Sequence, residues 1–397
     1  MSQNAGGPAE ARPLTRFAPD PASPGAGAGL SGREAVLALR QVHRALGELR
    51  RGTPVRIAGP EGQTLVAAAA ETVSARSLAE LAAIALATPV LLLAPTRAAA
   101  VLARPLEAEA GPVGLRLPPA LLAPEALRGL ADPTAATLLP EAAQVVPAPP
   151  LAAAAIALAK LGRLLPALVA APAASSTGDA LLSVPVEAVL SYPDTVATTL
   201  ARVAEAQVPL EDAPDARIVA FRAADGGIEH LAILVGAPEA LAARGEAPLA
   251  RVHSECFTGD LLGSLRCDCG PQLRGAIARM AEEGAGVLLY LAQEGRGIGL
   301  VNKLRAYRLQ DAGLDTLDAN RALGYGADER NFLVAAEMLR ALGIPRVRLL
   351  TNNPDKVAGL AACGIAVPER VGHRIAANGV NDHYLDTKAR RFGHLLG

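Results

Sequence analysis

The chain has 397 residues, 51% of them hydrophobic and 19% charged, with a net charge of −1. That length leaves room for two domains with proper cores, and the charge balance excludes a bulk electrostatic pull toward nucleic acid or an anionic membrane. Any phosphate binding must come from a local site.

In chain order, residues 1–30 are rich in Pro, Gly and Ala, lack the apolar core of a signal peptide, and read as a disordered tail. Two apolar runs follow. Leu81–Thr96 is short and holds Pro89 and Pro95; Leu151–Ala171 carries Lys160 and Arg163 near its middle. Neither suits a membrane span. The expectation is a soluble cytoplasmic protein, whose thiols stay reduced. Composition then changes near residue 180: residues 31–180 hold no Cys, Trp, Tyr or Phe and one His, His43, while the four cysteines and five of six histidines come later. SSTGD (175–179) reads as a linker. The expected organisation is a tail (1–30), a first domain (31–180) and a second domain (181–397) that carries the chemistry.

In the second part, ARIVAF (216–221), LAILVG (231–236), GVLLYL (286–291) and RVRLLT (346–351) read as strands. Helical patterns lie between them. One starts at Pro271, with Leu273, Ile277 and Met280 on one face, and stops at Gly284. Another starts at Asp328 and ends at Gly343, and a third has Asn353 as N-cap and Pro354 in its first turn. The fold class is α/β (α+β) in two domains, with strand-to-helix loops where ligands bind.

Three of the four cysteines, Cys256, Cys267 and Cys269, fall in RVHSECFTGDLLGSLRCDCG (251–270), spaced C-x10-C-x-C. Three thiolates suit zinc, and three ligands with an open fourth position describe a catalytic site. The alternative is a closed structural site completed by His253 or Cys363, though Cys363 reads better as a small buried hydrophobe. Further on, QEGRGIGLVNKLRAY (293–307) does not match the dinucleotide fingerprint, but its glycines permit a tight turn exposing Glu294 and Arg296. GADERNF (326–332) places Asp328 and Arg330 at a helix N-terminus, and TNNPDK (351–356) places Thr351 and Lys356 at another. Such ends with adjacent cations are phosphate sites. Each feature alone has an ordinary structural explanation; together they point to chemistry on a phosphorylated substrate.

These segments, with HYLDTKARRFGHLL (383–396), resemble the GTP cyclohydrolase II family of riboflavin biosynthesis, over roughly the second half of the chain. The resemblance implies one zinc per chain on Cys256, Cys267 and Cys269, activating the water that opens the guanine ring at C8. Formate and pyrophosphate leave, and a diaminopyrimidinone ribosylamine phosphate remains. It implies Asp328 as proton acceptor, Arg330 at the α-phosphate as a proposed nucleophile, and Tyr307 as a catalytic assistant. GTP contacts are implied for Arg251, Val252, His253, Ser254, Glu255, Gln272, Glu294, Gly295, Arg296, Thr316, Thr351 and Lys356, with magnesium on the triphosphate and a homodimer as the assembly. Because an arginine stays protonated, charge stabilisation is the physically easier role for Arg330.

Residues 34–170 resemble a degraded 3,4-dihydroxy-2-butanone 4-phosphate synthase, through LRQVHRALGELRRGTPVRI (39–57) and LAAAAIALAKLGRLLPALV (151–169). Where that family carries a run of acids after its first strand, this chain has AGPEGQTLVAAAAE (58–71), with Glu61 the only acid before Glu71. Where it has His-Thr-Glu, this chain has Leu151-Ala152-Ala153. Magnesium-assisted sugar-phosphate chemistry needs oxygen ligands and a proton shuttle, which this half lacks. The first half is expected to serve packing, dimerisation or regulation. A chain starting near Leu181 is expected to work alone where it stays soluble. The alternatives are a bifunctional enzyme and a non-catalytic protein that binds zinc and GTP for regulation.

Overall fold

The computed structural model describes residues 32–102, 111–135, 143–175, 181–375, 378–382, 387, 389–391, 393 and 395. The expected tail, most of the 175–179 linker and most of the 383–396 motif lie outside them.

The first half runs α1 (Gly32–Arg51), β1 (Val55–Ala58), β2 (Thr64–Ala69), α2 (Ala75–Ile84), β3 (Val90–Leu93) and α3 (Pro95–Val101). It continues with β4 (Val113–Arg116), α4 (Pro124–Ala131), β5 (Gln144–Val146), α5 (Ala152–Leu161), β6 (Ala167–Pro172) and β7 (Ser183–Pro185). In α1, Leu39, Val42, Leu46 and Leu49 recur at helical spacing and are buried, and Gly52, at φ 81°, ends the helix. The seven strands form one mostly antiparallel sheet in the order β5-β4-β3-β6-β2-β1-β7. The parallel pairing of β7 with β1 carries this sheet past residue 180.

Both faces of the sheet are covered, which explains its near-continuous apolar strands. Leu65, Ala67, Leu168 and Ala170 face one core, shared with α1 and α5. Val66, Ala68, Val169 and Ala171 face the other. Strand side chains alternate, so these sets follow from a period of two.

The second half runs α6 (Val186–Thr198), β8 (Ala201–Gln207), β9 (Arg217–Arg222), β10 (His230–Val235), α7 (Pro238–Ala243), β11 (Leu249–Ser254) and α8 (Cys269–Glu282). Then come β12 (Gly286–Leu291), α9 (Leu300–Asp311), α10 (Thr316–Ala322), α11 (Leu333–Ala341), β13 (Arg346–Leu350), α12 (Pro354–Ala362) and β14 (Ala366–Val371). The sheet order is β14-β13-β11-β12-β10-β9-β8, with β14, β13, β11 and β12 parallel. Three loops therefore leave its centre at the same edge, after β11, β12 and β13. No helix among the described residues is long and apolar enough to cross a membrane.

Three local expectations change. The helix expected from Asp328 begins at Leu333, because the Asn331 side chain takes the Leu333 N–H at 2.8 Å; Asp328 and Arg330 lie in the loop before it. The helix expected from Pro271 begins at Cys269, which places the third cysteine in its first turn. Glu294 is buried at 3% exposure instead of standing out on its turn.

The halves are not self-contained. Ile298, Ala306, Leu309, Ala319, Leu323 and Tyr325 of the second half complete the second core of the first sheet. Arg305 of α9 pairs with Glu71 and Asp132 at 2.9 Å each. A chain starting near Leu181 would leave these apolar side chains uncovered and Arg305 without both carboxylates.

Candidate functional site

The site grows from the end of β11. Alternation sends Arg251 and His253 to one side, and Val252 into the core below the sheet, where its carbonyl accepts Lys356 Nζ at 2.8 Å. Arg251 is buried; it donates to Leu350 O at 3.0 Å and to Gln272 Oε1. Burial pushes its guanidinium down to about 10. His253 stacks on Tyr290 with ring centroids 5.7 Å apart, and its Nε2 meets the Asp260 carboxylate at 3.1 Å. Burial holds this imidazole below its usual range, the first cause ahead of the opposing Asp260 bond.

Asp260 organises the turn that follows. Its Oδ2 accepts the Cys256 N–H at 2.9 Å and the Tyr290 hydroxyl at 3.0 Å. Around it the chain makes one wide helical turn, Phe257–Leu261, which brings Cys256 back toward Cys267 and Cys269. The three Sγ atoms lie within 4.8 Å of one another. Zinc–sulfur bonds of about 2.3 Å in a tetrahedron set two sulfurs roughly 3.8 Å apart; Cys256 Sγ and Cys267 Sγ are 3.7 Å apart. Gly259 makes this possible, since a Cβ there would sit 2.7 Å from Cys267 Sγ and 3.0 Å from Cys256 Sγ.

The donor set fits a soft cation in its electrostatics too. Cys256 is driven to the thiolate by its bonds to Cys267 and Cys269, with Lys303 Nζ at 3.0 Å adding to this. Contact with Cys256 pushes the other two thiols up, Cys267 to about 11. A cation bound between them would favour the ionised form of all three. Neither His253 nor Cys363 joins the cluster. Cys363 ends α12 and packs half-buried against the core of the second sheet.

Lys303 is buried and bridges Cys256 Sγ to Glu294 Oε1, the latter at 2.8 Å. Glu294 also accepts the N–H groups of Phe257 at 2.7 Å and Gly295 at 2.9 Å, so its carboxylate ties the loop after β12 to the cysteine turn. One turn along α9, Tyr307 places its hydroxyl 3.4 Å from Thr258 Oγ1, with the Arg266 guanidinium 5.0 Å from its ring. Burial raises the Tyr307 phenol.

On the opposite wall Arg330 is buried and grips Asp328 with a bidentate fork, Nε to Oδ1 at 2.8 Å and Nη2 to Oδ2. Burial alone would raise the Asp328 carboxyl; the Arg330 guanidinium outweighs it and holds the group below its usual range. Asn353 caps α12 through Asp355 N at 2.9 Å, as the sequence predicts, and Thr351 Oγ1 accepts the Asn353 N–H at 3.1 Å. Asn353, Pro354 and Asp355 thus close the start of α12, and Thr351, Asn352 and Lys356 around it line the cleft, where the positive end of the helix dipole adds to the Lys356 charge.

The residues named from sequence converge on this cleft. Arg251, His253, Ser254, Glu255, Gln272, Glu294, Gly295, Arg296, Tyr307, Thr316, Arg330, Thr351 and Lys356 line it with the three cysteines. Val252 does not, and Asp328 reaches it only through Arg330. The cations Arg251, Arg266, Arg296, Lys303, Arg330 and Lys356 line it against the acids Glu255 and Glu294, so a chain of net charge −1 concentrates positive charge here. Sequence reasoning missed Asp260, Lys303 and Arg266. Asp260 lies between the cysteines, and Lys303 one helical turn before Tyr307; these positions were the available signals.

A thiol cluster opening into a cation-lined cleft at the ends of parallel strands is the layout of an enzyme site for an anionic substrate. A family model for GTP cyclohydrolase II matches residues 201–372. The GTP cyclohydrolase-2 of Azospirillum brasilense is 52% identical over 388 residues, covering 91% of this chain and 97% of that protein. The chain belongs to the GTP cyclohydrolase II family. The Citrobacter koseri protein of the same name is 54% identical over 199 residues, which cover 50% of this chain and 98% of that one. Among solved structures, a two-domain 3,4-dihydroxy-2-butanone 4-phosphate synthase from A. baumannii is 17% identical with a TM-score of 0.31, covering 85% of this chain and 99% of that one. The synthase of Candida albicans gives 18% and 0.29, covering 38% and 96%. At these scores the likeness does not assign a fold to the first half.

Proposed function

We propose that the chain hydrolyses GTP to 2,5-diamino-6-(5-phosphoribosylamino)pyrimidin-4(3H)-one with release of formate and pyrophosphate, using zinc held by Cys256, Cys267 and Cys269. The observation that carries this reading is the three-thiol cluster facing a cleft lined by six cations. When bound, zinc supplies Lewis-acid chemistry that makes a hydrolytic water available near neutral pH.

The chain's own residues divide the remaining work. Arg251 Nε, His253 Nδ1 and Ser254 Oγ are buried polar atoms with no partner among the described residues. Such atoms at the mouth of β11 are where the polar edge of a purine would be received. Lys356, Thr351 and the α12 N-terminus suit the triphosphate, with magnesium entering as part of that substrate.

Arg330 and Asp328 act as a pair. The fork that now holds Asp328 is the geometry that binds a phosphate bidentately. When the α-phosphate takes the guanidinium, Asp328 loses the partner that holds its pKa down, and burial then makes it a better proton acceptor. Arg330 works by charge, stabilising the departing pyrophosphate. Tyr307, beside Thr258 and the cysteine turn, is placed to hand on a proton.

We assign residues 31–180, with β7 added from beyond that bound, as a catalytically inert, synthase-like domain, and the remainder to 397 as the cyclohydrolase domain. In support, the turn after β1 is closed by Leu151, whose Cδ2 lies 2.7 Å from where a Cβ on Gly59 would stand.

The test is direct. Purified full-length protein with GTP, zinc and magnesium should release formate and pyrophosphate in equal amounts, with the pyrimidinone identified by mass. Intact GTP, or pyrophosphate without formate, would refute the assignment. With ribulose 5-phosphate the same protein should form no dihydroxybutanone phosphate; its formation would establish a bifunctional enzyme instead.

A further inference from the structure

Leu151, which closes the turn after β1, stands just before helix α5, and the helix ends beside the loops of the cleft in the second half. Lys160 Nζ donates to Glu329 Oε1 at 2.7 Å, and Arg163 Nη2 donates to Ala292 O at 2.6 Å. Both acceptors belong to loops that build the cleft. Glu329 stands between Asp328 and Arg330, and Ala292 leads into the loop of Glu294 and Arg296.

Glu329 is also where the two loops meet. Its Oε1 accepts the Gly326 N–H at 2.6 Å, and its own N–H donates to Arg296 O at 3.1 Å. Arg296 has φ 61°, a left-handed conformation that a non-glycine residue keeps only when its surroundings hold it. Arg163 shares this feature at φ 56°. That turn aims its carbonyl at the Nδ2 of Asn302, 2.9 Å away, a fully buried side chain in the first turn of α9, the helix that carries Lys303 and Tyr307. The contact is tight, since a Cβ on Gly299 would lie 3.0 Å from Arg163 Cβ.

We propose that Lys160 and Arg163 of the first half are positioning residues for the cyclohydrolase site: Lys160 fixes the 326–330 loop through Glu329, and Arg163 fixes the 292–299 loop and the start of α9. The kinetic consequence rests on the cyclohydrolase reading above; the structural one does not. A half that has lost its own chemistry thus takes part in its neighbour's. The Lys160–Glu329 pair has side-chain exposures of 28% and 26%, so solvent screens it and its share of global stability is small. Its effect lies in geometry, where displacing a reacting group by about 1 Å costs on the order of a hundredfold in rate.

The experiment compares Lys160→Met and Arg163→Met with Lys160→Arg and Arg163→Lys in the full-length protein. The Met variants should lower kcat for formate release by roughly ten- to a hundredfold, with zinc content and melting temperature near those of the parent and KM changed far less. The Arg and Lys variants, which keep a donor, should recover most of that loss. Amide hydrogen exchange should speed up in residues 292–299 and 326–331 of the Met variants and stay unchanged in β11 and β12. Unchanged exchange in those loops, or faster exchange with kcat within twofold of the parent, overturns the proposal. If the parent releases no formate from GTP, the functional assignment fails, and the exchange measurement alone decides the positioning role.

Discussion

Each half of the molecule has a turn that leaves a strand next to the start of a helix, and the two turns are equipped very differently. After β11, the turn gathers Cys256, Asp260 and Gly259 against the first turn of α8, and every polar atom of Asp260 is engaged. After β1, the corresponding turn Gly59–Gln63 offers only the exposed carboxylate of Glu61, and Leu151 fills the space above Gly59. The sheets beneath are equally well packed. A fold rests on many alternating apolar contacts, each small, whereas a site rests on a few groups with no substitutes. A well-packed core therefore says nothing about whether a half carries such groups.

The largest effect that would sharpen this contrast is at the cysteines. Replacing Cys256, Cys267 or Cys269 by Ser should abolish both zinc binding and formate release, because two thiolates hold zinc poorly. Cys363→Ser should leave metal content near one per chain, as read by elemental analysis. Metal loss in that variant would mean a closed four-sulfur site.

Next comes removal of the first half. The half-length relative from Citrobacter koseri shows that such a unit can exist without it. In this chain, however, a start near Leu181 uncovers Ile298, Leu309, Leu323 and Tyr325 and strips Arg305 of Glu71 and Asp132. That patch should drive aggregation. Size-exclusion chromatography of the truncated chain should show aggregate or no soluble protein; a stable, fully active species would show that the shared core is dispensable.

At Arg330, Ala should cost on the order of 10²–10³ in kcat, the usual loss for a transition-state donor. Lys should cost less, since a cation remains without the fork. Asp328→Asn should lower turnover with little change in melting temperature. Label from α-labelled GTP trapped on Arg330 would instead establish a covalent role.

Much of this site was legible before the structure, and the misses share a cause. Strands β9, β10, β12 and β13 and the Asn353 cap follow from local patterns, which the fold obeys. GADERNF misleads because Asp328 and Asn331 are equally good helix starters locally; the choice falls to a tertiary contact, Glu329 N to Arg296 O, while the local fork of Arg330 occupies the Asp328 carboxylate. Asp260 and Lys303 work through partners distant in sequence. Ala306 and Leu309 pack into the core of the first sheet, across the chain from their own, which no local pattern around them announces.

A smaller effect tests the seam between the halves. His230 accepts the Ala292 N–H on Nδ1 at 3.0 Å, and burial, aided by Arg163, pushes its imidazole down to about 4. In the unfolded chain a histidine titrates near 6.5. As pH falls, the unfolded state takes up this proton first, so the contribution is whole above pH ~6.5 and is lost as pH drops through ~4, on the order of 3 kcal/mol in all. Denaturation at pH 7 and at pH 4.5 should show a steeper loss in the parent than in His230→Gln, whose amide can still accept the N–H. Equal slopes would mean that the histidine is not held neutral.

The smallest effect concerns the inert turn itself. Glu61 is exposed and left-handed, at φ 55° and ψ 27°. A side chain in that region costs about 1–2 kcal/mol that glycine avoids, while glycine gives up about 0.5–1 kcal/mol in the entropy of the unfolded chain. Glu61→Gly should therefore stabilise the protein slightly, by roughly 0.5 kcal/mol, and leave formate release unchanged. If this turn still bound magnesium, the parent's melting temperature would rise with added magnesium, and removing the turn's one carboxylate would abolish that rise. A melting temperature independent of magnesium in both proteins is the expected result, since one solvated carboxylate cannot assemble the oxygen ligands that magnesium requires.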